Sequence, residues 1–142
     1  MIGIVIATHG TNATALFETC TDMLGETVAA CVAISMDADI EMTAGHKQIV
    51  EAVDSVDNNE GVLILVDMFG GIPSTLAMGL LAQRNIEVLT GVNLAMVLRS
   101  VLRRENTTLP ELAADVLSYG PRNVTSSAQW LSPTPLNRDT SS

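Results

Sequence analysis

The sequence predicts one α/β domain: a doubly wound, mostly parallel sheet of four strands with helices on both faces. Three observations lead there. Short apolar runs alternate with longer amphipathic stretches from Ile2 to about Arg104. The connections between them are short, as in successive βα units. One run, Val62–Val66 (VLILV), is apolar at every position, as a strand covered on both sides must be.

The first strand spans Ile2–Ala7, interrupted only by Gly3, and stops at Thr8, His9 and Gly10. Asn12 is placed to cap the helix that follows. Ala13, Leu16, Phe17, Cys20 and Met23 recur at helical steps and mark its buried face, and Gly25 ends it. Val28–Ile34 reads as the second strand. A polar loop, SMDADIEM, leads into a helix with Met42, Ile49, Val53 and Val56 inward and Glu41, Lys47, Glu51 and Asp54 outward. DNNEG is a turn. The third strand, Val62–Val66, runs into DMFGGIPS, where Pro73 suits the first turn of a helix with inner stripe Leu76, Ala77, Leu80 and Leu81. Ile86–Leu89 is the fourth strand. Asn93 caps a fourth helix that turns Leu94, Val97, Leu98, Val101 and Leu102 inward. Thr108 and Glu111 have capping-box spacing for a fifth, with Pro110 in its first turn and Tyr119-Gly120-Pro121 at its end. Arg122–Ser126 reads as a short extra strand. The domain is placed at residues 1–127, and residues 128–142, rich in Pro, Ser and Thr, as a flexible tail.

Composition narrows the function. The 142 residues carry a formal net charge of −9, against a nucleic-acid or anionic-membrane surface. No apolar run approaches the ~18 residues of a membrane span, and the start lacks the basic region of a signal peptide. Direct membrane insertion is therefore not expected, and a cytoplasmic location is. Cys20 and Cys31 lack metal-ligand spacing and read as buried thiols; neither a metal nor a cofactor is expected. One Trp, one Tyr and two Phe give little ring surface for a flavin.

Chemistry concentrates where strands end, because all parallel strands deliver their carboxyl ends to one edge. His9 follows the first strand and Asp67 the third; Met36-Asp37 and Gly91–Asn93 follow the other two. If the first and third strands are neighbours, His9 and Asp67 meet. A carboxylate on one ring nitrogen sets the tautomer and leaves the other nitrogen bare and nucleophilic. Gly70 and Gly71 precede a helix start, where unpaired amides form an anion cradle. A nucleophilic His9, an orienting Asp67 and phosphate contacts from Thr8, Gly70, Gly71 and Ser74 together point to a phosphohistidine. Singly, each has a bland reading: His9 as a turn residue, Asp67 as a helix cap, GGIP as a tight turn. His46 reads as a solvated surface residue, and Met23, Met42 and Met78 as core filling. Met68, Phe69 and Ile72 either pack beneath the site or offer a partner an apolar landing patch.

The stretches IGIVIATHG, GVLILVDMFGGIPS and IEVLTGVNLAMVL make the chain resemble the mannose-family IIA component of the bacterial phosphoenolpyruvate-dependent sugar phosphotransferase system. The resemblance covers most of residues 1–104. It implies a phosphotransferase in which His9 accepts a phosphoryl group from the phosphocarrier HPr and passes it to a IIB component, with Asp67 bonded to the His9 ring. It also implies a homodimer built partly by exchange of an antiparallel C-terminal edge strand, for which Arg122–Ser126 is the candidate. Thr11-Asn12 departs from the more usual Leu-Ala, and Ile72 stands where Ser or Thr is common, leaving Ser74 or Thr8 to supply a hydroxyl. No IIB domain follows, so the chain is expected to act as a separate IIA.

Three competing readings remain at this stage. A receiver domain phosphorylated on Asp67 lacks its acidic pair after the first strand and a late lysine. A flavodoxin-like binding module lacks aromatics and a GxGxxG loop. The same phosphohistidine chemistry used for regulation is not separable from transport by sequence.

Overall fold

Alternation along the strands sorts the core into two clusters, one on each face of a single sheet. In the computed structural model, which describes residues 1–131, the elements run β1 (Gly3–His9), α1 (Asn12–Leu24), β2 (Cys31–Met36), α2 (Met42–Val56), β3 (Val62–Val66), α3 (Ile72–Met78), β4 (Ile86–Thr90), α4 (Leu94–Arg103), α5 (Leu109–Tyr119), a 3-10 turn (Gly120–Asn123) and α6 (Ser127–Leu131). The strand order is β2-β1-β3-β4, every pair parallel. Ile4 and Ile6 of β1 and Leu63 and Leu65 of β3 face one way, against Ala13 and Cys20 of α1, Met96 and Val97 of α4, and Leu112 and Val116 of α5. Val5, Ala7, Val62, Ile64 and Val66 face the other way, against Ile49 and Val53 of α2 and Leu76 and Ala77 of α3. The expected doubly wound sheet with helices on both faces is present.

Several termini follow the signals expected of them. Gly25 stops α1 at φ 71°, with its N–H on the Thr21 carbonyl. Asn93 accepts from the Met96 amide at 2.9 Å, and Thr108 and Glu111 close a capping box. Asn12, however, is the first helical residue rather than the cap of α1. Thr11 holds the cap position without a side-chain bond, and Thr8 Oγ1 accepts the Ala13 amide at 2.6 Å.

The second strand begins three residues later than expected. Ala30 sits at φ 48°, and the buried Arg104 guanidinium donates to the Ala29 and Ala30 carbonyls at 2.6 and 3.1 Å. Those bonds hold a turn where the sequence reads as strand. Met23, Met42 and Met78 are exposed instead of filling the core, as are Leu81 and Leu102. All five lie at or just past helix ends.

No fifth strand forms over Arg122–Ser126. Gly120–Asn123 instead winds on from α5 as a 3-10 turn. The Val124 amide donates to the Pro121 carbonyl at 3.1 Å, and Asn123 Nδ2 donates to the Tyr119 carbonyl at 3.2 Å. These local bonds hold the segment in a turn rather than extended along a sheet edge. Ser127–Leu131, which runs from the end of the expected domain into the expected tail, is the short exposed α6, with Trp130 Nε1 donating to Thr125 Oγ1. Residues 132–142 lie outside the described residues.

Candidate functional site

Parallel pairing of β1 and β3 brings their carboxyl ends side by side. Ala7 pairs with Val66, after which β3 gives way to Asp67 while β1 runs on beside β2 through Thr8, opposite Ser35. His9 is the last residue of β1, opposite Met36 of β2. The Asp67 carboxylate turns back across this edge. Its Oδ2 accepts the His9 backbone N–H at 3.0 Å and lies 2.9 Å from the His9 ring Nδ1. Its Oδ1 lies 3.1 Å from Nδ1 and accepts the Met68 amide at 3.1 Å. An ionised carboxylate can only accept, so Nδ1 carries the hydrogen. The lone pair is then on Nε2, which has no hydrogen-bond partner among the described residues.

Burial pushes the Asp67 carboxyl up. The hydrogen bonds from the His9 ring and backbone outweigh it and hold the group below its ordinary value. The imidazole is 38% exposed and the carboxylate 19%, so the base is shielded and the nucleophile presented.

The loop after Asp67 completes the pocket wall. A Cβ on Gly71 would stand 2.3 Å from His9 Cε1 and 2.8 Å from Nε2, so only glycine lets the backbone lie against the ring. Gly70 turns the chain at φ 89°. The Gly70 amide is taken by Ser74 Oγ at 3.0 Å, and Ser74 Oγ donates to the Gly71 carbonyl at 2.9 Å. Thr8 is fully buried; its hydroxyl caps α1 and donates to the His9 carbonyl at 3.2 Å. Of the four residues expected to touch phosphate, Thr8, Gly70 and Ser74 thus have these groups engaged within the protein. The Gly71 amide, and that of Ile72 beside it, meet no acceptor among the described residues.

Met68 is 56% and Phe69 72% exposed, while Ile72 is half-buried against the α2–α3 side of the core. His46 is exposed on α2, away from this constellation. Beside Asp67 lies a groove of about 330 Å³ lined by Asn12, Ala15, Leu16, Thr19, Val92 and Leu94. Sequence reasoning did not single out this groove. Asn12 and Thr19 are seven apart on one helix face, which is the signal that they share it. Its far wall is held by the Val92 amide, which donates to the Val66 carbonyl at 2.9 Å. Among the described residues no cluster of His, Cys, Asp or Glu is arranged to hold a metal, and no helix is long and apolar enough to cross a membrane.

Known proteins share both sequence and architecture with this chain. The sequence model of the EIIA-man family, described as the PTS system fructose IIA component, matches residues 3–117. The PTS system mannose-specific EIIAB component of Escherichia coli (strain K12) is 30% identical over 125 residues, 87% of this chain. The match spans 38% of that relative's length. The PTS system fructose-specific EIIA component of Bacillus subtilis (strain 168) is 28% identical over 113 residues, 79% of this chain and 77% of the relative. Among solved structures, phosphotransferase system component EIIA from Streptococcus agalactiae superposes with a TM-score of 0.82 at 23% identity, over 90% of this chain and 98% of the other. That likeness is one of fold. With the family's sequence model running through both His9 and Asp67, the chain belongs to the EIIA-man family of phosphotransferase-system IIA components.

Proposed function

We propose that the chain is a phosphocarrier in sugar uptake: His9 accepts a phosphoryl group from phospho-HPr and hands it to a IIB component. One observation carries this reading. The Asp67 carboxylate occupies Nδ1 of His9 and leaves Nε2 bare at the open edge of the sheet. The Nε2 lone pair attacks phosphorus in line. The Nε2–P bond forms as the donor's P–N bond breaks, and the donor nitrogen keeps the electron pair. Nδ1 keeps its hydrogen, which the Asp67 carboxylate accepts, and that carboxylate offsets the positive charge that develops on the ring. The loose transition state spreads charge over the phosphoryl oxygens, which the Gly71 and Ile72 amides are placed to meet. Met68 and Phe69 are the apolar contact for either partner. The names of the relatives and the family membership support the choice of partners.

The receiver reading fares worse. Three protein donors already fill the Asp67 carboxylate, which leaves it little freedom to attack phosphorus. The test mixes the protein with phosphoenolpyruvate, enzyme I and HPr. The expected label is acid-labile, base-stable and absent from His9→Ala. A base-labile label, or one that persists in His9→Ala, overturns the assignment. A homodimer belongs to the same proposal. The outer edge of β4 is unpaired among the described residues, and Val124 and Leu131 expose apolar surface that a second copy would cover. Sedimentation at micromolar concentration is expected to give twice the chain mass, and a monomer there removes the dimer.

A further inference from the structure

We propose that Ser74 is a positioning residue for His9: its hydroxyl fastens the Gly70–Gly71 turn and so sets where Gly71 lies against the imidazole. The inference rests on the reading of His9 as the carrier, and its test separates the two.

The turn would otherwise be loose. Met68, Phe69 and Gly70 are exposed, and Gly70 has the backbone freedom of a glycine at positive φ. Two residues of α3 tie it down. Ser74, 1% exposed, accepts the Gly70 amide at 3.0 Å and donates to the Gly71 carbonyl at 2.9 Å. The exposed Thr75 adds its amide and its hydroxyl to the same carbonyl, both at 3.0 Å. The Gly71 carbonyl therefore has three donors, while the Gly70 amide has one acceptor. Among the described residues, Ser74 is the only side chain that grips both peptides.

The consequence reaches the nucleophile. With its carbonyl drawn toward α3, Gly71 lies with its Cα against the Cε1–Nε2 side of the His9 ring, where a single added carbon would stand 2.3 Å from Cε1. Asp67 holds the opposite corner through Nδ1. The ring is thus braced by a hydrogen bond at one corner and by backbone contact at the other. The Ser74 hydroxyl is buried, with one bond accepted and one donated, so it acts through Gly71 rather than on phosphate.

The test compares wild type, Ser74→Ala and Ser74→Thr by NMR and by single-turnover transfer from saturating phospho-HPr. In Ser74→Ala the fold, read by far-UV circular dichroism, is expected to persist. Gly70 amide exchange should quicken at least tenfold as the amide loses its acceptor, and the His9 Cε1–H resonance should shift. The saturating transfer rate should fall about tenfold to a hundredfold, the scale of a misplacement of ~1 Å. Ser74→Thr, which restores the hydroxyl, should recover both resonance and rate. An unmoved His9 resonance in Ser74→Ala, or fast Gly70 exchange in the wild type, overturns the proposal. If the wild type takes no label, the carrier reading falls. The His9 resonance and Gly70 exchange then still decide the positioning role, a shift supporting it and no shift refuting it.

Discussion

Asp67 accepts from three N–H groups, the backbone and ring of His9 and the backbone of Met68. An asparagine there keeps the shape but can turn an N–H toward Nδ1. The ring would then carry its hydrogen on Nε2, and the nucleophile would be blocked. Asp67→Asn is expected to slow phosphoryl transfer on the order of a hundredfold or more, in rapid-quench assays with phospho-HPr. The same carboxylate sets an acid limb. Its folded pKa lies below the ordinary 3.8, so its contribution to stability is present above that value and is lost as pH falls through the folded one. Urea midpoints between about pH 5 and 2 should fall more steeply in the wild type than in Asp67→Asn. Gly71→Ala tests the opposite corner of the ring. The new methyl must displace the imidazole, and transfer should fall at least about tenfold while circular dichroism stays native.

At the level of elements, the link between β1 and α1 is where local rules met a tertiary answer. Asn12 has the chemistry of a cap, yet Thr8 does the capping from inside the strand end. That arrangement ties the first turn of α1 to the residue preceding His9. Thr8→Val keeps the volume and leaves the Ala13 amide without its acceptor. The expected loss is ~1–3 kcal/mol, read from urea denaturation with an unchanged m-value. The shift of β2 has a similar origin. Val28–Ile34 has good strand composition, but Arg104, seventy-four residues beyond Ala30, binds the turn that delays the strand. Across the helices, Arg99 joins α4 to α5 through Asp115 at 2.7 and 2.8 Å while lying over the Tyr119 ring. None of these long-range bonds has a signature in local spacing.

For the whole molecule, the two cysteines report on integrity. Cys20 and Cys31 are buried in the cluster beneath α1. Burial pushes Cys31 up to about 12, with Arg104 pulling the other way, and it also raises Cys20. Neither thiol should react with a disulfide reagent at pH 8 in the folded protein, and both should react in urea. The rate of the slow native reaction then measures opening of the core. Partial reaction without denaturant would show that α1 detaches separately from the sheet.

The order and identity of β1 to α5 were legible because burial imposes periods of two and 3.6 that survive in the sequence. So were His9 and Asp67 as the pair to watch, since polar residues after apolar strands of one parallel sheet must share an edge. The tertiary structure decided what local patterns do not encode. It placed β1 beside β3, which turns two separate strand ends into one bonded pair. It aligned Asp67 with Nδ1 and left Nε2 as the free nitrogen. It set Gly71 against the ring and used Thr8 and Ser74 hydroxyls to hold the loops. It left Met23, Met42 and Met78 in solvent at helix ends. Periodicity records which face of an element is buried; which partners meet across the sheet depends on contacts that close only when the chain has folded.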